Sequence, residues 1–239
     1  LLGKQEFVKL GALDDVDIAM MTHTGNQKDN KILALGGSST GSVSKSIKFI
    51  GKASHAGGAP HNGINALNAA NLAMAGIHFQ RETFQEKDVI RIHPIITQGG
   101  AAVSSVPADV RMETYVRGSS TQGYLEASEK VDRALRGGAM TIGAQVEITT
   151  IPGYLPMYQN EELNNLYEKN SIHLVGDEGV DRSNVGKFGG FSTDMGDMSQ
   201  LMPIIHPSVL STSGDGHGID YIVEDYHSAV ITAGKAMAL

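Results

Sequence analysis

The sequence contains no cysteine. Disulfides and thiolate metal sites are therefore excluded, and any metal must be held by His, Asp or Glu. Positive charge is scarce, with 19 Lys and Arg against 26 Asp and Glu and a net charge of −7. That balance argues against a protein that grips a phosphate backbone through clustered basic side chains, so no nucleic-acid partner is expected. No apolar run approaches the ~18 residues a membrane span needs, so no membrane partner is expected either. The charged, apolar, small-residue pattern of a secretory leader is missing as well, which points to the cytoplasm. The chain opens Leu1-Leu2 rather than with Met, as a piece of something longer would. What is present suffices for a folded core: 239 residues, 41% of them hydrophobic. The 29 glycines exceed the usual ~7% share, and they cluster with His, Ser and Asp.

Hydrophobic periodicity organises the middle of the chain. Ser44–Ile50 (SKSIKFI) alternates polar and apolar, the period of a half-buried strand. After the Gly-rich loop Gly51–Gly63, Ile64, Leu67, Ala70, Met74 and Ile77 recur at helical spacing, predicting a helix from Gly63 to Arg81. Asp88–Thr97 reads as a strand in which Pro94 marks an edge or bulge. Asp109–Arg117 alternates again, a second helix runs from Thr121 to Gly143, and Ala144–Ile151 is a last strand stopped by Pro152-Gly153. The order is β-α-β-β-α-β, the ferredoxin-like arrangement of an antiparallel sheet with both helices on one face.

The flanks differ. Asp17–Met21 and Ile32–Leu35 are short continuous apolar runs, as expected of α/β strands buried on both faces. Glu161–Asn170 reads as a helix, Leu201–Ile205 as a strand and Asp225–Met237 as a closing helix. The chain is thus expected to be an α+β domain, residues 44–151, inserted into an α/β host made of residues 1–43 and 152–239. The host reads as incomplete at its N-terminal side.

Four segments invite chemistry. His23 follows the apolar run Asp17–Met21 at what is expected to be the C-terminal end of a parallel strand, where α/β sheets place ligand groups. Its imidazole suits Zn²⁺, and equally suits a hydrogen-bonded strand end. Ser213–Gly218 sets His217 among glycines, either a close approach to a bound group or a plain loop. Phe191–Asp197 (FSTDMGD) is a polar turn that suits a helix N-terminus, with Ser192, Thr193 or Asp194 as cap or as part of a carboxylate site. Ser54–Gly63 carries His55 and His61 in a flexible loop that lacks the Gly-Lys-Ser/Thr of a phosphate cradle. A serine-hydrolase alternative rests on Gly37-Ser38-Ser39-Thr40-Gly41, which matches G-x-S-x-G ahead of Asp194 and His217. A nucleophile elbow needs a helix straight after the serine, and here a strand is expected.

Taken jointly, GKASHAGGAPHNGINALNAANLA, the GG…VP…VRMETYVRG pair, PGYLP, STDMGDMS and GDGHG resemble the M20 family of metallopeptidases and amidohydrolases. The likeness is to the branch of aminoacylase-like, indole-acetyl-amino-acid and aminobenzoyl-glutamate hydrolases. It covers most of the chain, in order and spacing. The resemblance implies metal-dependent hydrolysis of an amide in an N-acyl amino acid, an aminobenzoyl-glutamate-like compound or a small peptide, with Zn or Mn as cofactor. It implies His23 and His217 as metal ligands closing on one cleft. It makes His55 a donor to the oxyanion in the site of a partner subunit, and Arg117 the anchor of the substrate carboxylate. Ser104 stands where the family has an Asn that donates to substrate, and Ser192, Thr193 and Asp194 fall in the carboxylate region. Phe188 and Phe191 replace a His and a Gly common before STDMGD. The family's first metal motif and its Glu-Glu pair would precede Leu1, so the metal site is expected to be incomplete in this chain. The inserted domain would act as lid and dimerisation surface, giving a homodimer or higher homo-oligomer. A competing reading is a non-catalytic ferredoxin-like module for dimerisation or ligand binding.

Overall fold

The computed structural model describes residues 3–239. In chain order a first segment contributes α1 (Gly3–Lys9) and strands β1 (Ala19–Met20), β2 (His23–Asn26), β3 (Leu33–Ala34) and β4 (Ser38–Ser39). Then come β5 (Gly41–Ile50), α2 (Ala66–Phe79), β6 (Arg91–Ile92), β7 (Ile95–Gln98), β8 (Asp109–Gly118), α3 (Thr121–Ile142) and β9 (Gln145–Pro152). The chain ends through α4 (Glu161–Val175), β10 (Val180–Asp181), β11 (Phe188–Gly189), α5 (Met195–Met198), β12 (Ile204–Ile205), β13 (Ser208–Ser213), β14 (Ile222–Val223) and α6 (Ala233–Ala238). Two compact units result, one of residues 41–154 and one of residues 1–40 with 155–239.

In the 41–154 unit the sheet runs β6-β8-β5-β9, with β7 also on β8, all antiparallel. Alternation decides its faces. Val43, Ile47 and Phe49 of β5 and Val110, Met112 and Val116 of β8 are buried against Ala69, Ala73 and Ile77 of α2 and Val131 and Leu135 of α3. The small side chains of α2 let the two helices come close: a Cβ at Gly138 would meet Ala69 O and Ala73 N at 2.6 Å. The expected β-α-β-β-α-β order is the observed one.

Local chemistry sets the limits of these elements. The first helix starts at Ala66 rather than Gly63 because the Asn65 side chain accepts from the Leu67 and Asn68 amides. The second starts where the Ser120 hydroxyl accepts from Gly123 N, and ends at Gly143 with φ +77°. The single strand expected over Asp88–Thr97 is two short strands. His93-Pro94 interrupts the pairing, since proline offers no N–H to the ladder. The register survives the break, Ile92 opposite Val116 and Ile95 opposite Glu113. Lys45 lies in the buried phase of β5, where its ammonium meets Asp132 at 2.6 Å and the Thr150 hydroxyl at 2.8 Å.

In the other unit β1 pairs with β12 and β2 with β13, all parallel, while β13 also pairs with β3 and β14 and β3 pairs with β10. Leu33, Leu35, Val180, Ile205 and Val209 form a core with Tyr167 of α4 and Ala233 and Ala236 of α6. A second cluster joins Met157, Met195, Met198 and Ile204. The strand expected over Asp17–Met21 shrinks to Ala19–Met20, and it is not buried on both faces: Ile18 and Met20 are about half exposed. The Leu201–Ile205 strand likewise shrinks to Ile204–Ile205, leaving Leu201 exposed. The closing helix begins with a π-helical turn over His227–Thr232.

No helix among the described residues is long and apolar enough to cross a membrane.

Candidate functional site

His23 opens β2 instead of ending a buried strand, because the ladder breaks at Met21-Thr22. Its amide donates to Pro207 O at 3.0 Å and its ring is exposed. Nδ1 lies 2.6 Å from Thr24 O. A carbonyl can only accept, so Nδ1 carries the proton and the Nε2 lone pair is left available. A backbone carbonyl on one ring nitrogen is the usual way a metal-binding imidazole is oriented.

Opposite the same break stands His206, whose ring centroid lies 6.1 Å from that of His23 with the planes at 73°. Its backbone is held firmly. The His206 amide donates to Gln159 Oε1 at 2.8 Å, and Gln159 Nε2 donates to Gly37 O at 2.9 Å. Gly36 permits this approach, since a Cβ there would meet His206 O at 2.5 Å. The ring is only 5% exposed, and neither nitrogen has a hydrogen-bond partner. Burial, reinforced by His23 and Lys4 and opposed by Asp194, pushes its pKa down to about 4, so the imidazole is neutral at neutral pH. It borders a cavity of about 190 Å³ with Gly36, Gly37, Ser38, Phe188 and Ser208. Sequence reasoning passed over His206. The available signal was a histidine ending the apolar run MPII, directly before a proline.

His217 lies in the hairpin between β13 and β14, exposed and with φ +68°. Gly214, at φ +83°, starts the turn where a Cβ would strike Asp220 O at 2.3 Å. Along the strand pair His23 stands opposite Ser208, whereas the hairpin leaves after Ser213. At ~3.3 Å per residue the hairpin begins some 17 Å further along β13. The His23 ring has His206 beside it, and the hairpin that carries His217 is tied back to β2 by Asn26 Nδ2 donating to Gly214 O at 2.6 Å and by the Tyr221 hydroxyl 3.1 Å from Thr24 Oγ1.

Ser192, Thr193 and Asp194 precede the single-turn helix α5. Asp194 occupies the cap position without accepting an amide there, and its carboxylate instead takes the Lys4 ammonium. Thr193 Oγ1 accepts weakly from Met195 N at 3.4 Å, and the Ser192 hydroxyl faces Thr40 Oγ1 at 3.4 Å. Close by, Asp197 is buried and accepts from Leu155 N and Gln5 Nε2. Burial raises its pKa, and those two hydrogen bonds hold it back only in part.

In the 41–154 unit the structure brings His55 and Ser104 together. His55 pairs with Ser105 through a single bridge, and Ala56 N donates to Ser104 O at 2.8 Å. His55 Nδ1 accepts from Gly58 N at 2.9 Å and from Gly57 N at 3.2 Å. Two amides on Nδ1 place the neutral ring's proton on Nε2, making the exposed edge a hydrogen-bond donor. Arg117 lies in the outward phase of β8, its guanidinium carbon 5.1 Å from the centroid of the Tyr115 ring, opposite Ser42 and Arg91.

The serine-hydrolase alternative fails on geometry. Ser39 is fully buried, its hydroxyl has no hydrogen-bond partner, and β5 follows it instead of a helix.

For a divalent metal the donor chemistry is met only in part: an imidazole whose Nδ1 lies on the Thr24 carbonyl, leaving Nε2 available, stands beside a second whose ring nitrogens have no hydrogen-bond partner. The set is partial, because no three His, Asp or Glu converge on one point among the described residues.

Comparison with known proteins agrees with this fold. Residues 38–139 match the model of the M20 peptidase dimerisation domain. Over 206 residues the chain is 30% identical to the Xaa-Arg dipeptidase of Mus musculus, covering 86% of this chain and 46% of that protein. Over 146 residues it is 28% identical to one component of the p-aminobenzoyl-glutamate hydrolase of Escherichia coli, covering 61% of this chain and 33% of that one. A Bacillus subtilis structure described as a dinuclear metal binding peptidase from the M20 family superposes with a TM-score of 0.66 at 17% identity, over 98% of this chain and 59% of that one. Residues 38–139 thus match an M20 peptidase dimerisation domain, and the proteins to which the chain is similar are M20 peptidases and amidohydrolases. The chain spans less than half the length of the two curated relatives.

Proposed function

We propose that this chain forms part of a metal-dependent amidohydrolase that cleaves a small amide bearing a free carboxylate. N-acyl amino acids, aminobenzoyl-glutamate-like compounds and dipeptides are the candidate substrates. The relatives support this class, one being named for Xaa-Arg dipeptides and another for p-aminobenzoyl-glutamate. The observation that carries the reading is the state of His23, whose Nδ1–H on Thr24 O leaves Nε2 ready for a cation.

His23 and His217 are the residues assigned to hold Zn or Mn. When bound, such an ion supplies Lewis acidity toward the amide carbonyl and the attacking water. The protein's own groups do the rest. His55 donates its Nε2 proton in a hydrogen bond to the carbonyl oxygen as negative charge develops there. Its ring is already oriented by the Gly57 and Gly58 amides, so no reorganisation is needed at the moment of reaction. Arg117 offers a planar fork to the substrate carboxylate, which sets the scissile bond in register. Ser104 and the Ser192–Asp194 turn add polar contacts to the same substrate. The dimerisation-domain match supports a homodimer or higher homo-oligomer, in which the His55 donor is supplied by the partner. The cytoplasm is the proposed location.

The partial donor set favours one competing reading, a non-catalytic module for dimerisation or ligand binding. Variants of the longer protein that contains these residues separate the two. Hydrolysis of such an amide is expected to vanish with chelator and in His23→Ala and His217→Ala, and to be insensitive to a serine-directed phosphonate. Dimerisation without any hydrolysis would favour the module.

A further inference from the structure

We propose that the cavity between Phe188, Phe191 and His206 is the subsite for a single aromatic ring, the aryl end of a benzoyl-type amide. The proposal rests on the hydrolytic reading above and narrows its substrates to one chemical class.

Size comes first. The cavity measures about 190 Å³. A void of ~150 Å³ takes up a benzene, so one substituted ring fills this one and a fused pair of rings does not fit. Its walls are aromatic. Phe188 and Phe191 remain 37% and 50% exposed beside it, an apolar surface that the fold leaves uncovered. Both rings are positioned. Tyr158 meets Phe188 edge-on with centroids 6.0 Å apart, and Phe191 lies against Gly189, where a Cβ would come within 2.5 Å of the ring. Two positioned rings favour a third in edge or offset contact. A polar need is also unmet. His206 is 5% exposed and neither ring nitrogen has a partner, although buried polar groups nearly always have one. Its uncharged ring offers one N–H and one lone pair, which a polar group on the guest ring satisfies. Charge narrows the guest further. Lys187 lines the cavity and, among the described residues, no acidic side chain does. Asp194, the carboxylate that bears on the His206 ring, is engaged by the Lys4 ammonium. An acceptor or anion is therefore favoured over a cation. Placement supplies the link to the amide. The His206 ring lies 6.1 Å from that of His23, and Ser208, also lining the cavity, stands opposite His23 in the ladder. A ring seated here turns its attached carbonyl towards His23.

The test begins with the purified 239-residue chain, chelator present, titrated with benzoate, benzylamine and 2-naphthoate and followed by NMR. Benzoate is expected to bind saturably and about tenfold more tightly than either of the others. Its ring protons should show contacts to the Phe188 and Phe191 rings, and the His206 ring nitrogens should shift. Phe191→Ala and Lys187→Met, both at exposed positions, are each expected to weaken benzoate by about three- to tenfold. Phe79→Ala, at an exposed phenylalanine of α2, should leave it unchanged. Circular dichroism reports whether each variant folds, and the contacts in wild type need no variant. No saturable benzoate binding, contacts to neither phenylalanine, or 2-naphthoate bound as tightly overturns the proposal. In the longer protein, Phe191→Ala is expected to lower kcat/KM for an N-benzoyl amino acid at least about threefold more than for its N-acetyl counterpart. Equal losses overturn the assignment of the cavity to the acyl end. A longer protein that hydrolyses neither amide overturns the hydrolytic reading instead, a result the binding titration cannot produce.

Discussion

At the scale of single residues, hydrogen-bonded neighbours decide what each histidine can offer. His23 has its proton on Nδ1 and a lone pair at Nε2, while His55 has the reverse, with two glycine amides on Nδ1. One ring is prepared to accept a cation and the other to donate to an anion. His55→Ala is therefore expected to lower kcat of the longer protein by ~10²–10³, the usual cost of one oxyanion donor, with little change in KM. A steady-state comparison checks this; a change in KM alone would make His55 a binding residue. Burial decides a second case. Lys45 is fully buried and paired with Asp132, so removing one partner strands the other charge. Asp132→Ala is expected to destabilise the fold by about 3 kcal/mol, whereas the apolar pair Lys45→Met with Asp132→Leu stays within about 1 kcal/mol of wild type. Urea unfolding of the three proteins reads both values. The sequence singled out His23 and His55, but neither their ring hydrogen bonds nor the Lys45–Asp132 pair. The alternation in SKSIKFI sets Lys45 in phase with Ile47 and Phe49, but does not show that Asp132 of α3 meets its ammonium. Nor does a one-dimensional pattern reveal a tautomer, or that His206 comes to face His23 across a break between strands.

At the scale of elements the sequence was far more informative where periodicity is local. In the 41–154 unit, alternation over Gly41–Ile50 and Asp109–Gly118 and the 3.6 period of α2 and α3 place these four elements, because each buries one continuous face, whereas β6 and β7 read as one strand. The short strands of the other unit carry no such signal. Ala19–Met20 and Ile204–Ile205 are two-residue ladders specified by partners nearly two hundred positions away in the chain, so the apolar runs around them overstate their length. Two adjacent glycines of α3 turn this packing into a measurement. Gly138 faces α2, where an added methyl would come within 2.6 Å of backbone, while nothing lies within 4 Å of a Cβ at Gly137. Gly138→Ala is expected to destabilise by about 1–3 kcal/mol through overpacking. Gly137→Ala should instead stabilise by about 0.5–1 kcal/mol through helix propensity. Thermal unfolding of the pair gives opposite signs if the helix crossing is as described, and the same sign if it is not.

At the scale of the molecule, an α+β unit and an α/β unit with two facing imidazoles are combined in one chain. The residues assigned to chemistry come from both units, and the described donors stop at a pair, so the proposed function assigns metal-dependent turnover to a longer protein that contains these residues. The 239-residue chain alone is expected to show weak hydrolysis or none. The most direct measurement removes the metal from the longer protein with a chelator, then returns Zn²⁺ or Mn²⁺ stepwise. Released amine from an N-acyl amino acid or a dipeptide is followed alongside bound metal. Activity should fall to background and return in proportion to the metal bound. Hydrolysis that persists at full rate in the stripped protein would contradict the account.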